Sequence, residues 1–246
     1  MSHILGPMLK PEDDRSVVRE RPPLSVLTSG YRSASERRRR ITDEALRVVQ
    51  RLFLSQNQES PHVVVFAAID PGNGCSEVCA AVAETLAANA ARPVCLVDGN
   101  LHTPRLPEIF EVTNHYGLTD CLLEQGPIAS FTSKPLASNL RLLSAGMLVP
   151  DSAALLSSSR LQERIAELRK EHSFILVDAP PLNRYSDALL FSQHADGLVL
   201  VLEAGVTRRE AAASVVASLR SIGIPILGAV LNKRVFPIPH ALYQRL

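Results

Sequence analysis

The residues best suited to chemistry lie in one glycine-rich turn between an apolar run and a helical pattern. The turn, PGNGCS, spans Pro71 to Ser76; the apolar run Val63–Ala68 precedes it and the helical pattern Glu77–Ala91 follows it. Glycines allow backbone N–H groups to point inward, and the start of a helix adds partial positive charge. This layout predicts a loop that binds phosphate.

Two carboxylates, Asp98 and Asp178, stand at the ends of other apolar runs and are candidates for catalysis and for metal binding. Carboxylate and hydroxyl oxygens suit Mg²⁺, so we expect Ser76, Asp98 and Asp178 as its ligands. Asp178 is followed by Ala179-Pro180-Pro181. The alternative for Asp178 is a strand-end carboxylate that caps or orders a turn. The corresponding alternative for Asn232 is a polar residue that merely ends a strand.

The pattern of apolar residues predicts strands and helices in alternation. Six apolar runs predict buried strands at Val63–Ala68, Pro93–Asp98, Leu140–Ala145, Phe174–Asp178, Leu198–Leu202 and Ile226–Leu231. Helical patterns cover Ile41–Ser55, Glu77–Ala91, Tyr116–Glu124, Ser158–Lys170, Ser186–Gln193 and Thr207–Ile222, with Thr42 as N-cap of the first. Runs that are apolar on both faces and separated by helices predict an α/β fold. Its sheet is doubly wound and mostly parallel, with helices on both faces. Ligands bind such sheets at the carboxyl ends of the strands, where the loop and both carboxylates fall.

Length and composition fit one large domain between two tails. The chain has 246 residues and is 46% hydrophobic, enough for a sizeable core. We expect a disordered basic tail over residues 1–40, a domain over 41–234 and a short tail over 235–246. A net charge of +1 supplies no general attraction to nucleic acid. The four cysteines show no paired metal spacing, and neither a signal peptide nor a membrane-spanning run is present, which favours a cytoplasmic protein.

Several motifs, in order, resemble those of the bacterial tyrosine kinases (BY-kinases) of capsule and exopolysaccharide synthesis, which belong to the Min- and Par-type P-loop ATPases. The resembling segments are Glu44–Arg51, Pro71–Ser76, Val94–His102, Gly117–Leu122, Leu142–Gly146, Leu155–Ser158, Ile175–Pro181, Asp187-Ala188 and Gly228–Asn232. The resemblance implies a P-loop NTPase-like domain over residues 41–234, with ATP or ADP and Mg²⁺ as cofactors.

The same resemblance implies contacts and partners. It places nucleotide contacts at Pro71, Gly72, Asn73, Gly74, Cys75, Ser76, Glu77 and Asn232. In the family, a helix with the spacing of Glu44, Arg47 and Arg51 docks on the next subunit, which implies a homo-oligomer. The implied partner is a membrane-embedded polysaccharide chain-length regulator, or co-polymerase, at the inner face of the cell membrane. No nucleic-acid partner is expected.

The departures from the family pattern cluster in the site. Cys75 replaces the lysine that holds the β- and γ-phosphates, and Asn100 replaces the second acid of D-x-D-x-R. His102 stands at the arginine of that motif, and Asn73 replaces a glutamate. Phosphoryl transfer depends on positioning and charge stabilisation, so a lost cation weighs heavily against it. The usual C-terminal tyrosine cluster is reduced to Tyr243.

These departures favour a degenerate BY-kinase with a regulatory or scaffolding role and residual nucleotide binding. One alternative is an active autokinase or ATPase that uses a relocated cation, either Arg105 or a neighbour's Arg47 or Arg51. A second is a positioning ATPase of the Min/Par type, disfavoured because the loop contains no lysine. A third gives Cys75 a redox role, because a helix N-terminus lowers a thiol pKa.

Overall fold

The protein is described by a computed structural model that covers residues 34–54, 59–133 and 139–234, with side chains from residue 42 onward. Residues 1–33 and 235–246, including Tyr243, lie outside the described residues. The tail predictions that fall there remain predictions.

The centre of the fold is a six-stranded sheet. Its strands are β1 (Val63–Ala68), β2 (Val94–Asp98), β3 (Leu140–Leu143), β4 (Phe174–Ala179), β5 (Gly197–Glu203) and β6 (Ile226–Asn232). The strand order is β3-β2-β4-β1-β5-β6, and every pairing between neighbours in this sheet is parallel. Strand β1 lies between β4 and β5, and the chain leaves β1 toward one edge of the sheet and β4 toward the other. The loop after β1 therefore lies at a topological switch point, where ligands bind in such sheets. The predicted α/β fold with a parallel sheet is confirmed.

Helices cover both faces of the sheet. They are α1 (Ala34–Leu52), α2 (Cys75–Ala90), α3 (Leu106–Ile109), α4 (Leu118–Leu123), α5 (Ser152–Leu156), α6 (Ser159–Glu171), α7 (Asp187–Ser192) and α8 (Arg209–Ser221). A short 3₁₀ turn covers Ile128–Ser130. Among the described residues, every helix is too short or too polar to span a lipid bilayer.

The core has two layers because the central strands are apolar on both faces. On one face, side chains of α1 and α2 such as Val49 and Leu86 pack against Val64. On the other, side chains of α4, α6, α7 and α8 pack against the opposite set of strand residues, which includes Val65 and Val97. All six residues of β1 are buried. The strand that carries the loop is therefore held from both sides.

The structure corrects several element boundaries. Helix α1 begins at Ala34, so residues 34–40, which we expected to be disordered, are helical, and Thr42 lies inside the helix instead of capping it. Strand β3 ends at Leu143 instead of Ala145. The next two carbonyls, of Ser144 and Ala145, accept hydrogen bonds from the start of α4, at 2.7 and 2.9 Å, instead of extending the sheet.

Candidate functional site

The loop after β1 has the backbone shape that its glycines predict. Gly72 and Gly74 both have φ near 83°, in the left-handed region that favours glycine. A Cβ on Gly74 would lie 2.4 Å from Asn232 Nδ2. Gly74 is the N-cap of α2, and no side chain caps the first turn of that helix. The first amides of α2 are therefore available to an anionic ligand.

Two asparagines form hydrogen bonds with the backbone of this loop: Asn73 lies in the loop itself and Asn232 lies at the end of β6. The Asn73 side chain is buried and accepts a hydrogen bond from the backbone N–H of Asp70, at 3.1 Å. Asn232 Nδ2 donates to the carbonyl of Asn73, at 2.9 Å, and more weakly to that of Gly74, at 3.4 Å. Both residues were predicted to contact nucleotide. The structure places their side chains in contact with the loop itself, where they hold its shape.

A lysine that the sequence analysis missed also contacts the loop. Lys233 Nζ donates to the carbonyl of Gly72 and lies 3.1 Å from Glu203 Oε2. Lys233 adopts φ 56°, an unusual conformation for a residue with a Cβ. Its ammonium is paired with a carboxylate and bonded to a carbonyl, so its charge is already satisfied by the protein. The one available signal was its position directly after Asn232 in the last motif.

The two predicted acids lie side by side at the carboxyl edge of the sheet. Asp98 on β2 is in register with Asp178 on β4, and both side chains are buried. The Asp98 carboxylate accepts hydrogen bonds from the backbone N–H groups of Asn100, at 3.2 Å, and Leu106, at 3.1 Å. Burial, followed by the charge of Asp178, raises the pKa of Asp98 to about 8. Asp98 therefore orders the turn before α3, and these bonds occupy both of its oxygens.

Asp178 differs from Asp98 in one decisive respect. Neither of its buried carboxylate oxygens has a hydrogen-bond partner among the described residues. Burial raises the pKa of Asp178 to about 6. The Ser76 hydroxyl and the Cys75 thiol lie near the carboxylate without the geometry of a hydrogen bond, and they only partly offset that effect. A buried carboxylate without a partner is costly, and a bound cation would satisfy it. Asp178 with Ser76 therefore fits a site for Mg²⁺.

Most other ligands of such an ion would be water and phosphate oxygens. Among the described residues, no group of three or more His, Cys, Asp or Glu side chains has metal-binding geometry. Mg²⁺ is commonly held by one or two protein oxygens, with water and substrate phosphates completing the octahedron. Ser76 and Asp178 are the residues that would hold it. When bound, the ion would offset phosphate charge.

Cys75 occupies the lysine position as a neutral thiol. Burial, followed by the charge of Asp178, raises its pKa well above the ordinary value. The expected lowering of this pKa by the start of α2 is therefore wrong, because burial and the neighbouring acid outweigh the helix terminus. The motive for a redox role is removed. A neutral thiol also cannot replace a cation that faces phosphate.

His102 belongs to a polar cluster that joins three segments beside the site. His102 Nε2 lies 3.0 Å from Asp187 Oδ2 and 3.1 Å from Ser152 Oγ, and Ser152 Oγ donates to the same carboxylate oxygen, at 2.9 Å. The His102 ring stacks on Tyr185, with 3.5 Å between ring centroids. Ser152 and Asp187 both contact Nε2 of His102. In a hydrolase triad the serine and the aspartate contact different ring nitrogens, so this cluster cannot activate the serine in that way. The cluster connects the loop after β2 to α5 and α7.

The structure does not bring the candidate replacement cations to the loop. Arg105 is exposed and pairs with Glu108, at 2.7 Å. Arg47 and Arg51 lie on α1 near Pro61 and Asp196, at the opposite ends of β1 and β5 from the loop. Glu44 is exposed on the same helix. Within one chain, none of these residues could act on a phosphate held by the loop.

Comparison with known proteins identifies the family. The chain is 31% identical over 180 residues to the tyrosine-protein kinase YwqD of Bacillus subtilis, a match that covers 73% of this chain and 75% of YwqD. The chain belongs to the bacterial tyrosine kinase family. The crystal structure of the VpsO kinase domain matches 81% of this BY-kinase chain and 98% of its own, with a TM-score of 0.71 and 27% identity.

The wider fold group is the one that the sequence predicted. The septum site-determining protein MinD of Pyrococcus horikoshii, solved with Mg-ADP, matches 74% of this BY-kinase chain and 76% of its own. The TM-score is 0.59 at 20% identity, so this likeness shows the fold alone. The resemblance to BY-kinases and the P-loop NTPase fold are both confirmed. No protein-family model matches the chain.

Proposed function

We propose that this BY-kinase is a regulatory or scaffolding pseudokinase of exopolysaccharide or capsule synthesis or export. It binds ATP or ADP with Mg²⁺ weakly and does not transfer phosphate. The observation that carries the proposal is Cys75, a half-buried thiol that lies beside Asp178 at the position of the phosphate-binding lysine and carries no positive charge. The loop and its strand are intact around it.

The lost lysine bears directly on catalysis. Phosphoryl transfer draws almost entirely on positioning and on stabilisation of charge in the transition state. Removing one preorganised donor from such a site costs about 10²–10³ in rate. Lys233 does not compensate, because its ammonium is paired with Glu203 and bonded to the Gly72 carbonyl. Asn100, which replaces the second acid, donates and accepts hydrogen bonds with Thr103 in its own turn.

Nucleotide binding is supported by what remains. The uncapped start of α2 and the two left-handed glycines leave amides for phosphate. Asp178, whose carboxylate has no hydrogen-bond partner among the described residues, and Ser76 would supply oxygens for the ion that accompanies the nucleotide. We propose Pro71–Glu77 and Asn232 as the nucleotide site, with Asn73 and Asn232 acting through the shape of the loop.

The partners follow from the family. We propose that the protein works in the cytoplasm at the inner face of the membrane, bound to a membrane-embedded polysaccharide chain-length regulator or co-polymerase. A homo-oligomer would form through the α1 residues Glu44, Arg47 and Arg51, which are exposed. Nucleic acid is not a proposed partner, because the chain carries a net charge of only +1.

A second candidate is an active ATP-dependent autokinase or ATPase completed by a neighbouring subunit. Arg47 and Arg51 favour it, because these exposed guanidinium groups form no ion pair within the described part of the chain. In an oligomer they would be free to face the next subunit's loop. The Arg47→Gln and Arg51→Gln variants would then lose a turnover that wild-type protein shows only as an oligomer.

Titration with a fluorescent ATP analogue tests the pseudokinase proposal. Wild-type protein should bind the analogue more tightly with Mg²⁺ than with EDTA, and Ser76→Ala should reduce that difference. Incubation of the same protein with γ-labelled ATP should leave no label on the chain. Labelled tyrosine in wild-type protein would overturn the pseudokinase assignment, and absence of binding with Mg²⁺ would overturn the nucleotide site.

A further inference from the structure

An open groove of about 810 Å³ lies between α1 and the sheet, away from the phosphate loop. Its floor is the face of β5 and β6 at Val199, Leu227, Gly228 and Val230, and its apolar wall is formed by Val48 and Leu52 of α1. Strand β6 is the edge of the sheet. The helix α8 contacts β6 and packs with the opposite core layer, so it does not cover this floor.

The floor has room for another side chain. A Cβ placed on Gly228 would meet no atom within 4 Å, and Gly228 does not have the left-handed φ that would strain another residue. The neighbouring Leu227 and Val230 are only partly buried. Contiguous apolar surface left open beside polar residues is typical of a site where another molecule binds.

The charged residues on the rim of the groove indicate what kind of molecule would bind there. Arg47 and Arg51 are exposed and form no ion pair within the described part of the chain. By contrast, Arg169 pairs with Asp196 at 2.8 Å, and Asp196 also accepts bonds from the backbone N–H groups of His62 and Val63.

Glu59 is the remaining acid on the rim. It offsets one of the two unpaired arginines, so the groove keeps a surplus of positive charge beside its apolar floor.

We propose that this groove docks an extended acidic segment of a partner protein, with carboxylates on Arg47 and Arg51 and apolar side chains over Gly228. The groove offers guanidinium groups on one wall and an apolar floor, the complement of a segment that alternates acidic and apolar residues. None of the residues that line the groove belongs to the phosphate loop, so peptide binding and nucleotide binding can be tested separately. The groove shares Arg47 and Arg51 with the proposed subunit contact but also involves the chain's own β5 and β6, so an acidic segment and a neighbouring subunit would compete for the two arginines.

A synthetic peptide of alternating glutamate and leucine, labelled with a fluorophore, is the probe. Fluorescence anisotropy with full-length protein should show saturable binding that weakens with salt, while a peptide of alternating lysine and leucine should not bind. Combining Arg47→Gln with Arg51→Gln should weaken binding roughly tenfold, since each exposed ion pair accounts for about a two- to fivefold effect.

Gly228→Leu fills the floor without changing any charge, and should weaken peptide binding about tenfold or more by displacing an apolar side chain of the peptide. Arg220→Gln and Ala213→Leu, at exposed positions of α8, are the matched controls and should leave binding unchanged.

Equal binding by wild type, the double arginine variant and Gly228→Leu would overturn the proposal, as would equal binding of the acidic and basic peptides. Light scattering on the same samples separates a partner from a second copy. A dimer of wild-type protein that Gly228→Leu dissociates, without peptide binding, would also overturn it. ATP-analogue binding by Gly228→Leu should match wild type, which keeps the two sites distinguishable.

Discussion

Burial of the Asp178 carboxylate should lower the free energy of unfolding by a measurable amount. Its oxygens are buried and have no hydrogen-bond partner in the part of the chain that the structure describes, and its pKa rises from the ordinary 3.8 to about 6. A raised pKa in the folded state means that folding disfavours the charged carboxylate. The difference between these two pKa values corresponds to roughly 3 kcal/mol at a pH above both of them. We therefore expect Asp178→Asn to stabilise the protein in the absence of ligand.

The gain should be smaller than the full electrostatic cost, because a buried amide also needs partners. We expect the free energy of unfolding to rise by about 1–3 kcal/mol near pH 7.5, which raises Tm by about 2–4 °C per kcal/mol in a domain of this size. Below about pH 3 the carboxyl is mostly protonated in both folded and unfolded chains, so the gain should vanish. It should grow from about pH 4 to pH 6 and continue to grow more gently to about pH 8, because the variant also removes the charge that raises the pKa of Asp98.

Urea unfolding at a series of pH values, with wild type and Asp178→Asn side by side, measures this difference. Asp43→Asn, an exposed carboxylate on α1, is the control and should change stability by less than about 0.5 kcal/mol. Excess Mg²⁺ should stabilise wild type and not Asp178→Asn, since the ion would satisfy the carboxylate. A variant less stable than wild type near pH 7.5, or a pH-independent difference, would refute this reasoning.

Three further substitutions test the loop and its surroundings. Cys75→Lys should tighten binding of an ATP analogue about 10- to 100-fold, because a charge-assisted hydrogen bond contributes about 1.5–3 kcal/mol; unchanged affinity in the same titration would count against the lost-cation account. Gly74→Ala should lower the free energy of unfolding in urea by about 1–3 kcal/mol and abolish binding of the ATP analogue. The reason is that a Cβ is strained at this φ and would clash with Asn232. Wild-type affinity of the variant would contradict the loop geometry. His102→Ala should cost about 1–3 kcal/mol by removing a partner of buried Asp187, while His102→Gln recovers part of the loss; equal stability of both variants would argue against a bonding role.

The strands were predictable because buried parallel strands leave a direct signal. The runs at Val63–Ala68 and Phe174–Asp178 are apolar on both faces, and the structure places β1 and β4 there within one residue. The early end of β3 was not predictable, since it depends on α4 taking the next carbonyls. Helices α3 and α5 have 4 and 5 residues, too few to show helical periodicity.

The chemistry of the site was only partly predictable, because local rules compete with tertiary burial. A thiol at a helix start suggests a lowered pKa, yet burial of Cys75 beside Asp178 reverses the direction. The contact of Lys233 with Gly72 joins residues 161 positions apart, and no spacing rule along the loop reveals it. The pairing of His102 with Asp187 likewise spans 85 positions.

The central claim is that this BY-kinase has kept its phosphate loop and lost the lysine charge that phosphoryl transfer needs. Measurement of phosphate release from ATP by the purified protein tests that claim most directly. Wild type and Asp178→Asn should be compared at equal concentration with Mg²⁺, with Cys75→Lys as a third sample. We predict the same background rate for wild type and Asp178→Asn. Turnover by wild type that collapses in Asp178→Asn would contradict the account.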